Sequence, residues 1–216
     1  MKKKILSLLM VFAFGFTITG CDATMDDVKN QANKMQEIID EGTLFEKDWA
    51  FTATTSDGEE SATAIMKKDG DNYYIKYVMG QESEEIIMIK DSSTYTVYNT
   101  SEKVYTIVGA SEVEESFDLD ALMGTYDSYH EALEGMEEGC AKEEVTCELE
   151  KNLFGKLTIT ISQNGSDDYI TMIIKKGKLL AVSGVMDGTS INYEYDYGNQ
   201  KIEAPENKSE YKYITA

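Results

Sequence analysis

The sequence predicts a mainly β fold with two helices (α+β), centred on one antiparallel sheet of about eleven strands. Three observations predict it. From Trp49 onward, short runs rich in Thr, Tyr, Val and Ile are separated by Gly, Asn and Asp turn signals. Two windows, one before these runs and one between them, instead carry apolar residues three to four positions apart. Finally, Leu157-Thr158-Ile159-Thr160-Ile161 and Ile191-Asn192-Tyr193-Glu194-Tyr195 alternate with period two, which buries one sheet face and wets the other.

The chain opens on MKKKILSLLMVFAFGFTITGC. Lys2, Lys3 and Lys4 form a positive head. The apolar stretch from Ile5 to about Ile18 is short for a transmembrane helix, which wants about 20 apolar residues. Residues 1–20 therefore read as a signal peptide. Met25, Val28, Ala32, Met35 and Ile39 then make a helical stripe over about 25–40, with Gly42 as its stop.

Strands are expected near 49–55, 61–67, 72–79, 84–90, 93–98 and 103–108. Asp57-Gly58 and Asp69-Gly70 supply the left-handed conformations of tight turns, and Gly80, Asp91-Ser92 and Asn99 mark looser ones. An acidic connection over 111–116 leads to a second helix over about 118–136, N-capped by Asp118 and closed by Gly139. Its stripe is Leu119, Leu122, Met123, Tyr126, Tyr129, Leu133 and Met136.

Five more strands are expected near 143–149, 156–162, 168–175, 178–186 and 190–197. Asn164-Gly165, Lys176-Gly177 and Asp187-Gly188 separate the last four. Pro205, the only proline, falls after the last strand, and the polar tail beyond it is expected to fray. No linker or composition break divides residues 21–216, which read as one domain, N-terminal helix included.

Charge narrows the function classes. The 216 residues carry a formal charge of −20, and loss of the three leader lysines leaves 17 basic against 40 acidic residues, or −23. Nucleic-acid binding needs Lys and Arg against phosphate and is not expected. Flat adhesion to an anionic membrane through basic patches is likewise disfavoured. Net charge far from zero keeps an exported protein soluble. With 42% hydrophobic residues, 14 Tyr and 7 Phe, the mature chain can still pack a core.

Ile18-Thr19-Gly20-Cys21 resembles the lipobox of bacterial lipoproteins. That resemblance implies a diacylglyceryl group on the Cys21 thiol, cleavage before it, and palmitate-class acyl chains holding the protein to the cell membrane on its extracytoplasmic face. Two acyl chains anchor stably where one is marginal. No long tether follows, because Asp22-Ala23-Thr24 leads directly into the first helix.

The order helix, six strands, helix, five strands also resembles the LolA/LppX-type lipoprotein-carrier fold. Asp91-Ser92-Ser93-Thr94-Tyr95-Thr96-Val97-Tyr98-Asn99 followed by Lys103-Val104-Tyr105 is similar to its aromatic-bearing paired strands. Tyr193 to Glu206, ending Ile202-Glu203-Ala204-Pro205-Glu206, is similar to its closing strand. The resemblance implies a strongly curved sheet, a half-barrel, with helices on the concave face and a cavity for acyl chains.

Chemistry-bearing residues are few. The only histidine, His130, sits beside Glu131, but no HExxH spacing or second His completes a metal site, and it reads as structural. Cys140 and Cys147 match neither a zinc ribbon nor a redox CxxC, leaving a disulfide or two free thiols. Asp118-Leu119-Asp120 starts like a calcium loop, but Leu122, Met123 and Tyr129 stand where that loop needs a ligand, Gly and Glu. No GxSxG, SxxK, P-loop or dinucleotide fingerprint occurs, so no catalytic residue, cofactor or metal is expected.

Tyr73, Tyr74, Tyr77, Met79, Met88, Met172 and Met186 either line a lipid cavity or fill a core. The expected function is therefore a non-enzymatic, membrane-anchored lipoprotein that binds a lipid or other hydrophobic ligand. The alternative is a structural or sensing lipoprotein that meets an envelope protein through its acidic surface.

Overall fold

The computed structural model describes residues 21–215 apart from 43, 46, 47, 117 and 118, with side chains described outside 21–22 and 114–125. A two-residue strand β1 (Cys21–Asp22) precedes helix α1 (Met25–Glu41). Six strands follow: β2 (Trp49–Ser56), β3 (Ser61–Asp69), β4 (Asn72–Met79), β5 (Glu82–Asp91), β6 (Thr94–Asn99) and β7 (Val104–Gly109). Three helices come next: α2 (Ala110–Ser116), α3 (Leu119–Glu134) and α4 (Met136–Cys140). Five strands then run as β8 (Val145–Lys151), β9 (Leu157–Gln163), β10 (Tyr169–Lys175), β11 (Lys178–Met186) and β12 (Thr189–Asp196). A 3-10 turn (Lys208–Glu210) and a last short strand β13 (Lys212–Tyr213) close the chain.

Among the described residues all the strands join one open, curved sheet in the order β1-β8-β9-β10-β11-β12-β2-β3-β4-β5-β6-β7-β13. The eleven long strands pair antiparallel with their neighbours throughout. The expected α+β architecture on one curved antiparallel sheet is therefore what forms, and the sheet does not close into a barrel.

Local chemistry explains the elements. Asp27 Oδ2 accepts from the Thr24 amide at 3.1 Å, a capping interaction that starts α1, and Gly42 stops the helix in the left-handed region at φ 66°. At Lys176-Gly177 and Asp187-Gly188 both residues have positive φ, as two-residue hairpins between twisted strands require. Gly184 meets a different constraint. A Cβ there would lie 2.0 Å from the Tyr169 carbonyl oxygen of the adjacent strand.

Register assigns the faces. Phe51 pairs with Tyr195 on one side and with Met66 on the other, and Ala53 pairs with Tyr193 and Ala64. These residues share a face with Leu157, Ile159, Met172, Ile174 and Val182. Against that face pack Val28, Ala32 and Met35 of α1 with Tyr126, Leu133 and Met136 of α3 and α4, forming the main core. A smaller core at the other wing joins Tyr73 and Tyr95 to Val113 of α2.

Three expectations are corrected. Residues 111–116 are helical rather than a loop, because Val113 is buried on Tyr73 and Tyr95 while Glu112 beside it is exposed. The second helix is interrupted at Gly135, and Gly139 lies inside the short α4 rather than ending the element. The tail does not fray. Tyr211 is buried edge-on against Tyr98 at 5.4 Å, and Lys212 and Ile214 donate to the carbonyls of Lys103 and Tyr105 at 2.9 Å each. β13 thereby pairs parallel with β7. The leader, the Asp118 cap and the Asp118-Leu119-Asp120 comparison lie outside the described residues, as do the side chains of Leu119, Leu122 and Met123.

Candidate functional site

The helix-bearing face does not end where the helices end. Met66 belongs to the main core and Met88 to the smaller one. Between them on the same face lie Ile75, paired with Met66, and Ile86, paired with Ile75. Tyr77 pairs with Ala64, and Met79 with Ala62, so they continue this band toward the ends of the strands. Tyr77 is 51% exposed and Met79 49% exposed, although the register sets them on the face that buries Phe51 and Trp49. Large side chains with this placement form an apolar strip between two filled cores, adaptable because thioether and phenol can both repack.

The main core next to this strip is unusual in its tyrosines. Tyr193 and Tyr195 of β12 and Tyr197 just past its end pack in this core, and α3 adds Tyr126 and Tyr129. Phe51 stacks on Tyr193 and Tyr195 at 5.4 and 5.0 Å between ring centres. Burial pushes the Tyr126 hydroxyl up to about 12, partly offset by the Leu179 amide that it accepts from at 2.8 Å. Burial likewise raises Tyr129, Tyr193, Tyr195 and Tyr197, so all stay neutral at ordinary pH. Tyr126 also donates to the Gly177 carbonyl at 2.9 Å, while the Gly177 amide donates to Gln31 of α1 at 2.8 Å. These bonds anchor both helices to one hairpin turn.

The opposite face is polar at its centre. Register aligns Thr63, Thr54, Asn192, Ser183, Thr171 and Thr160 in one row across six strands. Thr54 and Thr63 hydroxyls lie 3.2 Å apart, and those of Thr160 and Thr171 3.1 Å apart. Thr54, Ser183 and Asn192, with Ser56, Tyr169 and Val185, border an open hollow of about 430 Å³. Its lining mixes hydroxyls with the apolar surface of Val185, Ile191 and the Tyr169 ring.

The sequence candidates fall in separate places. Cys21 opens β1 at the sheet edge, its Cα opposite Lys151 of β8. Cys140 and Cys147 are joined by a disulfide with Cα atoms 5.7 Å apart, tying the end of α4 to β8. His130 is buried in α3, with Nε2 3.9 Å from Glu134 rather than against Glu131. Among the described residues no group of three His, Cys, Asp or Glu is placed to hold a metal, and no helix is long and apolar enough to cross a membrane.

The seven Tyr and Met candidates do not converge on one cavity. Tyr73 and Met88 join the smaller core and Met172 the main one. Tyr74 lies on the opposite face, its hydroxyl pushed up to about 12 by burial and by the neighbouring Glu85. Tyr77 and Met79 form the strip, and Met186 is exposed. Sequence reasoning missed Ile75 and Ile86, whose place between two cores depends on which strands the helices cover. It also missed Tyr193, Tyr195 and Tyr197 as a buried set, although their period-two spacing was visible.

No family model matches the chain. No curated protein matches it. Among solved structures, it shows a likeness to the crystal structure of an uncharacterized conserved protein from Thermus thermophilus, at 8% identity and a TM-score of 0.35. That likeness covers 86% of this chain and 99% of the other, and at this TM-score it carries no argument about fold or function.

Proposed function

We propose that this protein is an extracytoplasmic lipoprotein, held to the cell membrane by a diacylglyceryl group on Cys21, that binds a lipid or similar amphiphile without catalysing a reaction. The observation that carries the binding reading is the strip of Ile75, Tyr77, Met79 and Ile86 between the two cores. An acyl chain laid there would extend a face that is already apolar on both sides, and would remove from water side chains that the fold leaves wet. The tyrosines with raised hydroxyls serve packing: they lie in the main core, and Tyr126 and Tyr197 also hydrogen-bond to backbone.

Native mass spectrometry of the mature chain, with extracted lipids identified separately, tests the reading. A co-purifying mass of lipid size that is lost on denaturation supports it. A bare protein mass that persists after incubation with envelope lipids removes it. The second reading, an envelope protein partner met through the acidic surface, draws on the acidic turns at one end of the sheet, among them Asp57, Glu59, Glu60, Asp167 and Asp168. A bare mass together with capture of a basic partner would favour it.

A further inference from the structure

We infer that the β8–β9 turn is a second membrane contact, in which Leu153 and Phe154 enter the lipid–water interface beside the anchored end of the chain. The inference rests on the reading of Cys21 as the acylated residue and adds a site to it. Leu153 is 73% exposed and Phe154 72%, the highest values among the exposed large apolar residues described. They are not on a slack loop. Asn152 Oδ1 accepts from the amides of Phe154 and Lys156 at 3.0 Å each, and the Asn152 amide donates to the Lys156 carbonyl at 3.0 Å. A turn closed in this way presents both side chains outward with little left to order on binding.

The turn and the anchor share one end of the sheet. β1 runs antiparallel to β8 with Cys21 opposite Lys151 and Asp22 opposite Glu150, so the chain enters from the side of the turn. At about 3.3 Å per residue, Leu153 lies only about 7 Å beyond that pair. Asp27 of α1 is ion-paired with Lys151 at 2.5 Å, which fastens the segment behind the anchor to the base of the turn. Acyl chains on Cys21 would therefore bring the turn to the bilayer surface.

Charge beside the β8–β9 turn fits a phospholipid surface, while the strands farther across the sheet bring Asp69, Asp71, Asp91 and Asp196 to this same end. Lys156 follows the turn directly, and by register the β10–β11 turn with Lys175, Lys176 and Lys178 lies at the same end. The turns at the far end carry Asp57, Glu59, Glu60, Asp167, Asp168 and Asp187. Anionic headgroups attract the first group and repel the second, in a chain whose net charge is −20. Phe and Leu are among the side chains that interfacial segments bury at a bilayer boundary. Acyl chains alone leave a domain free to swing; a second contact fixes which end faces outward.

The test uses the mature chain carrying Phe154→Trp, coupled through the Cys21 thiol to vesicles that contain a maleimide-bearing lipid, anionic phospholipid and a quencher-labelled phospholipid. Cys140 and Cys147 are bonded to each other, so Cys21 is the thiol that couples. Trp49, buried in the core, supplies a constant background measured on the unsubstituted chain. The inference expects the added indole to shift to the blue and to lose emission to the quencher lipid, with both effects reduced by Lys156→Glu. An indole that keeps water-like, unquenched emission on tethered vesicles overturns it and leaves the turn for a protein partner. The intact mass of Cys21 from cells reads acylation separately, so failure of the anchor reading cannot be mistaken for failure of the turn.

Discussion

Tyr126 donates its hydroxyl proton to the carbonyl oxygen of Gly177 at 2.9 Å, binding the middle of α3 to a hairpin turn far away in sequence. The hydroxyl oxygen of Tyr126 in turn accepts from the Leu179 amide at 2.8 Å. Tyr126→Phe keeps the ring but leaves a buried amide and a buried carbonyl without this partner. It should cost about 1–3 kcal/mol. The expected result is a lower urea midpoint at unchanged slope, and an unchanged midpoint would contradict this account.

Gly177 makes its own prediction. Its φ is +75°, and an added Cβ would sit 2.5 Å from the Lys34 carbonyl carbon of α1. Gly177→Ala should therefore destabilise by more than its left-handed backbone alone would cause, about 1–3 kcal/mol in all. Gly188→Ala, also at +75° but with nothing within 4 Å, is the comparison. The two variants should differ in thermal midpoint, with Gly177→Ala the lower.

The buried tyrosines give a base-side pH dependence. Tyr126 titrates at about 12 in the folded chain and near 10 when unfolded, so the folded state holds its proton more tightly. Stability from this group is complete below pH 10 and is lost as pH rises toward 12. At about 1.4 kcal/mol per unit, Tyr126 alone contributes about 3 kcal/mol. Urea titrations across this range, followed by tyrosinate absorbance, should show stability falling as phenolate appears. Constant stability to pH 12 would refute the buried, neutral arrangement.

Reduction should loosen the junction between α4 and β8. The Cys140–Cys147 bond closes a loop with a sequence separation of 7. Closing a loop that short is worth about 2–3 kcal/mol on the chain-entropy account. The double variant Cys140→Ser with Cys147→Ser should unfold at a correspondingly lower urea concentration, and reductant should leave its midpoint unchanged.

The apolar strip predicts a separation of binding from stability. Tyr77 and Met79 are half exposed, so Tyr77→Asp with Met79→Asp should shift stability by no more than about 1 kcal/mol. If an amphiphile lies on the strip, the co-purifying lipid mass should disappear in this variant while the thermal midpoint holds. Retention of the full lipid mass would move the ligand elsewhere.

Much of this molecule could be read directly from residue order. Strands Asn72–Met79 and Lys178–Met186 fall where alternation and flanking turn residues set them, and α1 begins at Met25 as its apolar spacing requires. These are local properties: side-chain period, left-handed turn residues and a capping carboxylate act within a few positions of themselves. Charge and composition are likewise complete in the chain. Tertiary structure decided the rest. Val113 turned an acidic connection into a helix because Tyr73 and Tyr95 were there to bury it, and Tyr211 pinned a polar tail by reaching Tyr98. Whether Tyr77 is core or surface depends on which strands the helices cover, and whether Leu153 and Phe154 neighbour Cys21 depends on β1 choosing β8 as its partner. Each of those outcomes is set by pairing between distant segments, whose energy depends on what they meet rather than on their own spacing.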